Sequence, residues 1–184
     1  TTNAGSTWLA QPIDSINRLY SVMFTDVNNG CIVGSNGIVL KTTNGGTTWA
    51  VRPSGTINTL SDLSFPISAT GLVGYAVGGA QFEGTILKTV DGGLTWTQQT
   101  SGSTNWLFGV HFADLQRGWA VGFNGTIVAT TNGGTTWFPQ TSGTTNRLVA
   151  THFVNGDTGW AVGYSGTIIR TNNGGNEWLP QVNS

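Results

Sequence analysis

Four tripeptides of the form Asn-x-Leu recur along the chain: Asn17-Arg18-Leu19, Asn58-Thr59-Leu60, Asn105-Trp106-Leu107 and Asn146-Arg147-Leu148. They put two guanidinium groups and an indole at one register. If the segments converge, Arg18, Arg147 and Trp106 form a binding surface able to grip an acidic peptide or stack against a sugar ring. Asn17, Asn105 and Asn146 flank it as turn formers whose side chains bond nearby backbone. His111 and His152 also occupy equivalent places, which raises metal binding or acid–base chemistry. No cysteine or carboxylate stands in register to complete a ligand set, so no metal is expected. Asp62 is the one carboxylate at its register, and glycoside hydrolysis requires two. No catalytic residue and no cofactor are predicted.

The elements that position these residues are set by an octapeptide, Thr130-Thr131-Asn132-Gly133-Gly134-Thr135-Thr136-Trp137. Near copies run over 1–8, 42–49, 89–96 and 171–178, and their tryptophans are spaced by 41, 47, 41 and 41 residues. A period in that range marks a solenoid, an array or a propeller. Asn or Asp before Gly-Gly supplies a side chain that bonds its own backbone, followed by residues that accept positive φ. The closing Trp anchors the hairpin between layers, and its indole N–H requires an acceptor. The residues with this structural role are Asn44, Gly46 and Trp49; Asp91, Gly93 and Trp96; Asn132, Gly134 and Trp137; and Asn173, Gly175 and Trp178.

Between the octapeptides, short apolar runs alternate with turn signals. Leu19–Phe24, Cys31–Gly34, Ile38–Lys41 and Trp49–Arg52 read as four strands, with Asn36-Gly37 as a hairpin turn. The third unit repeats this grammar with Leu107–Phe112, Gly118–Gly122 and Gly125–Thr130, and the fourth with Leu148–Phe153, Gly159–Gly163 and Gly166–Thr171. The second is longer at Phe65–Gly74 and at Gly78–Gly84, and both extra lengths are expected in turns. The predicted fold is all-β, a β-propeller-type array of four-stranded antiparallel blades. It has four full repeats, 9–49, 50–96, 97–137 and 138–178, in a single domain over 1–184, with 179–184 as a tail. An orphan box over 1–8 is followed by an outer strand, Trp8 to Gln11, with no unit of its own.

Charge excludes several functions. Only 8% of residues are charged, with 7 basic against 8 acidic side chains, so no basic stripe for nucleic acid and no cationic helix for membrane insertion is present. The single Cys31 can form no disulfide within the chain. A surface rich in Thr, Asn and Gly and poor in Lys and Glu suggests a location outside the cytoplasm, extracellular or periplasmic. The start of the chain directly in a box suggests a processed or excised segment.

The octapeptide resembles the Asp box of sialidase-type and related propellers, which in those families is structural. With Phe-x-Asp-x-x-x-Gly-Trp-Ala-Val-Gly, Gly-Thr-Ile and Thr-x-Asn-Gly-Gly-x-x-Trp together, clearest over Phe112–Trp137, the chain is similar to the photosystem II assembly and stability factor family. That resemblance implies a ring of about seven blades, where this chain has four units and a surplus strand. A sialidase would need an arginine cluster and a Tyr/Glu pair, against Tyr20, Tyr75, Tyr164, Glu83 and Glu177 here. The expected function is a non-enzymatic extracellular scaffold that binds protein, or copies of itself through open blade edges. One alternative is an assembly factor holding a protein segment at the channel mouth. The other is a glycan-binding or glycoside hydrolase propeller.

Overall fold

The computed structural model describes residues 1, 3–11, 13, 17–66 and 71–181. Each apolar run forms a strand because its side chains alternate toward two buried faces, and each Gly-containing segment turns the chain back. Blade 1 consists of β1 (Leu19–Phe24), β2 (Gly30–Gly34), β3 (Val39–Thr42) and β4 (Ala50–Arg52). Blade 2 consists of β5 (Thr59–Ser64), β6 (Gly74–Ala80), β7 (Glu83–Thr89) and β8 (Thr97–Gln99). Blade 3 holds β9 (Leu107–Phe112), β10 (Gly118–Gly122), β11 (Ile127–Thr130) and β12 (Phe138–Gln140). Blade 4 holds β13 (Leu148–Phe153), β14 (Gly159–Gly163), β15 (Ile168–Thr171) and β16 (Leu179–Pro180). Every blade is an antiparallel meander in sequence order. The all-β propeller array expected from the repeats is present. Counting from Trp to Trp cuts each sheet just before its outermost strand, which follows the box.

The innermost strands meet in succession, β1 against β5, β5 against β9 and β9 against β13. No contact of comparable extent joins blade 1 to blade 4 among the described residues. Three apolar joints fill the gaps between neighbouring blades. Cys31, Val33 and Val39 of blade 1 pack on Leu60, Leu63, Phe65, Ala76, Leu87 and Trp96 of blade 2. Tyr75, Val77 and Ile86 of blade 2 pack on Leu107, Val110, Phe112, Ala120, Val128 and Trp137 of blade 3. Trp119, Val121, Ile127 and Ala129 of blade 3 pack on Leu148, Phe153, Ala161, Ile169 and Trp178 of blade 4. In blades 1 to 3 the second strand is buried on both faces, as its unbroken apolar run requires, whereas β14 of blade 4 is buried on one. Cys31 sits in the first joint, and burial pushes its thiol pKa up.

The boxes hold themselves together. In the third, Thr130 Oγ1 accepts the Gly134 N–H, Asn132 Oδ1 accepts the Thr136 N–H, and Asn132 Nδ2 donates to Thr136 Oγ1. Gly133 and Gly134 lie at φ +63° and +78°, the left-handed region their position demands. The box over 1–8 closes the same way through Thr1, Asn3 and Thr7, with Ala4 at φ +52°. Its Thr2 lies outside the described residues. Residues 8–11 form no strand, and Trp8 and Leu9 are 78% and 80% exposed.

Two local expectations are corrected. The indole N–H of Trp49, Trp96 and Trp137 has no acceptor, whereas Trp178 Nε1 donates to Gln140 Oε1. The indoles lie over the box glycine backbone and meet a Phe ring edge-on, a geometry that fixes the ring by its π face and leaves Nε1 without a carbonyl in line. The extra residues of Gly78–Gly84 lengthen β6 and β7 rather than a loop, because Gly79 pairs with Gly84 and Ala80 with Glu83. That leaves Gln81-Phe82 as the turn, with Phe82 80% exposed at φ +64°. The other insertion falls over 67–70, outside the described residues.

Candidate functional site

The middle residue of each Asn-x-Leu is fixed by its carbonyl, which lies directly over a glycine at the end of the next strand or, in the longer β6, two residues before it. Arg18 O faces Gly34, Thr59 O faces Gly78, Trp106 O faces Gly122 and Arg147 O faces Gly163, so closely that any Cβ there would collide with the oxygen. The carbonyls of Arg18, Trp106 and Arg147 also accept the N–H of Ser35, Phe123 and Tyr164, the first residue of each hairpin tip. Immediately afterwards every innermost strand carries a bulge, at Tyr20, Ser61, Phe108 and Val149. A bulge re-aims the side chain of its extra residue. At one end of the blades this gathers the Asn-x-Leu residues, the bulge residues and the hairpin tips.

In blades 3 and 4 that gathering is aromatic. Trp106 stacks on Phe108 at 5.5 Å and 18°, and Phe123 meets Phe108 edge-on at 5.1 Å. The Arg147 guanidinium carbon lies 4.1 Å from the Phe123 ring centre, 4.3 Å from Phe108 and 4.8 Å from Tyr164. Arg147 Nη1 donates to Tyr164 Oη at 2.8 Å, and its Nε is buried without a hydrogen-bond partner. Trp106 Nε1 donates to Ser61 Oγ of blade 2 at 3.0 Å. The cluster thus spans three blades and remains partly open to solvent, with Tyr164 56% and Phe123 36% exposed.

Of the residues singled out in the sequence, Trp106 and Arg147 are brought together, bridged by Phe108. Arg18 is exposed in blade 1, where the hairpin-tip position holds Ser35, whose Oγ accepts the Arg18 backbone N–H. The asparagines act as struts within their own blades. Asn105 Nδ2 donates to Thr126 Oγ1 and Asn146 Nδ2 to Thr167 Oγ1, both at 2.8 Å. Asn17 Oδ1 accepts Asn36 Nδ2. Phe108, Phe123 and Tyr164 escaped the sequence reading. Their signal was an aromatic just before Asn-Gly or Ser-Gly at the hairpin tip, and one just after the Leu of Asn-x-Leu.

The remaining titratable candidates join blades to one another. Asp62 Oδ1 accepts Ser21 Oγ of blade 1 and Oδ2 accepts the Val110 N–H of blade 3, while burial raises its pKa despite these bonds. His111 Nδ1 accepts the Phe153 N–H at 3.2 Å, and its ring lies 4.3 Å from that of His152. Burial, then the nearby His152, lowers the His111 pKa to about 4. No group of three His, Cys, Asp or Glu residues suited to a metal ion occurs among the described residues.

Among curated proteins, none matches the sequence significantly. Solved structures do share the fold. A structure of YCF48 bound to D1 peptide superposes at a TM-score of 0.72 with 19% identity, over 94% of this chain and 55% of that one. YCF48 from Cyanidioschyzon merolae gives 0.73 with 22% identity, over 95% and 59%. The chain therefore spans little more than half the length of these relatives. The GH74 enzyme of Niastella koreensis gives 0.69 with 15% identity, over 89% of this chain and 29% of that one. In sequence, the model of the family described as photosynthesis system II assembly factor YCF48 matches residues 1–102 and 96–182. With four blades of the matching fold and a family match running through all of them, the chain belongs to the photosynthesis system II assembly factor YCF48 family.

Proposed function

We propose that this chain is a non-enzymatic protein-binding propeller module, which holds an extended acidic segment of a partner protein at the rim around Arg147. The observation that carries this reading is the guanidinium itself. It is held between three aromatic rings and tethered to Tyr164, with a buried Nε left unpaired on a partly exposed surface. A cation fixed in that way meets a carboxylate with little further loss of side-chain freedom, and bidentate guanidinium–carboxylate pairing adds direction. Trp106 beside it offers apolar area for a neighbouring side chain, and Arg18 adds a cation at the same register of blade 1. Asn17, Asn105 and Asn146 brace the rim. The relative bound to a D1 peptide lends support, since it shows that a propeller of this family takes a peptide.

Catalysis is disfavoured by the same geometry. Asp62, the carboxylate of the innermost strands, has both oxygens engaged in holding blades together. Hydrolysis of the glycosidic type needs two free and facing carboxyl groups. The test is titration of the chain with D1-derived peptides and with acidic peptides, followed through tryptophan fluorescence. Arg147→Ala is expected to weaken binding by roughly tenfold to a hundredfold, the value of one charge-assisted contact. Binding that ignores Arg147→Ala, or oligosaccharide binding abolished by Trp106→Ala with no peptide binding, would sink the proposal.

A further inference from the structure

At the end of the blades opposite the rim, where the boxes lie, the three joints are filled differently. Between blades 2 and 3, Tyr75 Oη and Lys88 Nζ both donate to Gly133 O of the next box, at 2.9 and 2.6 Å. Between blades 3 and 4, Trp119 Nε1 and Gln140 Nε2 both donate to Gly174 O. The first joint has a small thiol in place of the ring. Cys31 Sγ lies 3.6 Å from Gly92 O, and Lys41 pairs with Cys31 as Lys88 pairs with Tyr75. Here a cavity of about 240 Å³ opens between the blades, with Lys41, Gly92 and two carboxylates, Asp26 and Asp91, in its wall. Lys41 is 6% exposed, and its Nζ has no hydrogen-bond or ion-pair partner among the described residues.

The charges in this wall are not needed by the turns that carry them. Asp91 Oδ1 accepts the Thr95 N–H of its box, and Asn44, Asn132 and Asn173 accept the same bond in the other boxes with an amide oxygen. Asp26 Oδ1 accepts the N–H groups of Asn28 and Asn29, as Asn155 Oδ1 does for Asp157 and Thr158 in blade 4. Both carboxyl groups are held ionised. The Asn29 side chain, with the Asn28 and Asn29 N–H groups, keeps Asp26 below the usual carboxylate range. Burial works against Asp91, yet hydrogen bonds from Thr95, Thr89 and Leu94 bring it down to about 2.

An ammonium at that depth without an acceptor is costly, so an occupant that supplies an oxygen gains by entering. The same occupant has to donate to Asp26 and Asp91. One ammonium against two carboxylates leaves one negative charge, which a group with a net positive charge cancels. The volume is that of about eight waters and lies below the roughly 300–1,000 Å³ of sites for drug-sized molecules, so the group is small. Leu72 and Leu94, 43% and 42% exposed, add an apolar part to the wall. We propose that this cavity takes the amino terminus of a peptide with an apolar first residue. Its α-ammonium sits between Asp26 and Asp91, its first carbonyl accepts from Lys41, and its first side chain lies on Leu72 and Leu94. A free amino acid offers the same ammonium, but its own carboxylate leaves the negative charge of the wall uncancelled. The site is separate from the rim around Arg147 and does not rest on the reading given for it.

The experiment is calorimetric titration of the full chain with leucinamide, N-acetyl-leucinamide and free leucine. Leucinamide is expected to bind, free leucine to bind more weakly, and N-acetyl-leucinamide, which lacks the ammonium, not to bind. Lys41→Met and Asp91→Asn should each weaken leucinamide binding by roughly tenfold to a hundredfold, the value of one charge-assisted contact. Asp91→Asn installs the residue that three other boxes carry, so it keeps the test decisive if Lys41→Met does not fold. No heat with leucinamide, the result for a cavity that holds water alone, overturns the proposal. Equal binding of N-acetyl-leucinamide, or binding indifferent to both substitutions, overturns it too. Leucine binding tighter than leucinamide would also overturn it and give the site to free amino acids.

Discussion

At the scale of the residue, polar side chains of the innermost strands accept backbone N–H groups of the neighbouring blade. His111 is the clearest case. Burial first, then the charge of His152, holds its pKa near 4 against an ordinary 6.5, so the ring stays neutral and its Nδ1 remains free to accept the Phe153 N–H. An unfolded chain takes up a proton on this histidine below pH 6.5, and the folded chain does so only near pH 4. The stability it contributes is therefore complete above 6.5 and lost as pH falls toward 4. Melting temperature should decline over that interval, and His111→Gln, which keeps an acceptor but does not titrate, should flatten the decline. An unchanged pH profile in the variant would show that the ring is not the group responsible. The equivalent placement of the two histidines raised metal or acid–base chemistry without a third ligand to complete it, and residue type alone does not reveal a partner 42 positions away. The hydrogen bonds of Asp62 likewise lie on two other blades, out of reach of any local pattern.

At the scale of the element, the blade was legible and the rim was half legible. Strand runs, Asn-Gly turns and boxes are local signals, so Leu107–Phe112 and Gly118–Gly122 fall where the alternation puts them. Arg147 and Trp106 stood out through register, but Phe108 and Phe123 did not, because a bulge and a hairpin tip turn them toward the rim and neither follows from alternation. The lengthening of β6 and β7 was hidden as well, since Gly-Gly-Ala reads as a turn while its backbone pairs as strand. The box tryptophan fastens the outer edge of its blade to the joint. Trp137 is 8% exposed and meets both Phe112 and Tyr75 edge-on, at 5.8 and 6.5 Å. Trp137→Ala should destabilise the chain by about 3–5 kcal/mol, the usual range for a buried large aromatic, as read by denaturant unfolding. A cost well below that range would mean that the Tyr75–Phe112 stack holds the joint unaided.

At the scale of the whole molecule, stability is a chain of neighbourly contacts. Among the described residues, blades 2 and 3 share an apolar joint on both faces, whereas blades 1 and 4 share one joint each. Charge does little to offset this, since the one ion pair among the described residues, Arg117 with Asp114, is exposed and of the kind worth least. When each unit is held mainly by the apolar area shared with its neighbours, the cost of opening it locally follows the number of faces it shares. Hydrogen exchange of dilute protein should then be slowest in β6, β7, β10 and β11, and faster in β2, β3, β14 and β15, although all eight are inner members of their sheets. Equal exchange in all four blades at dilution would mean that each sheet is stable through its own box and hairpins. The joints would then order the blades without holding them.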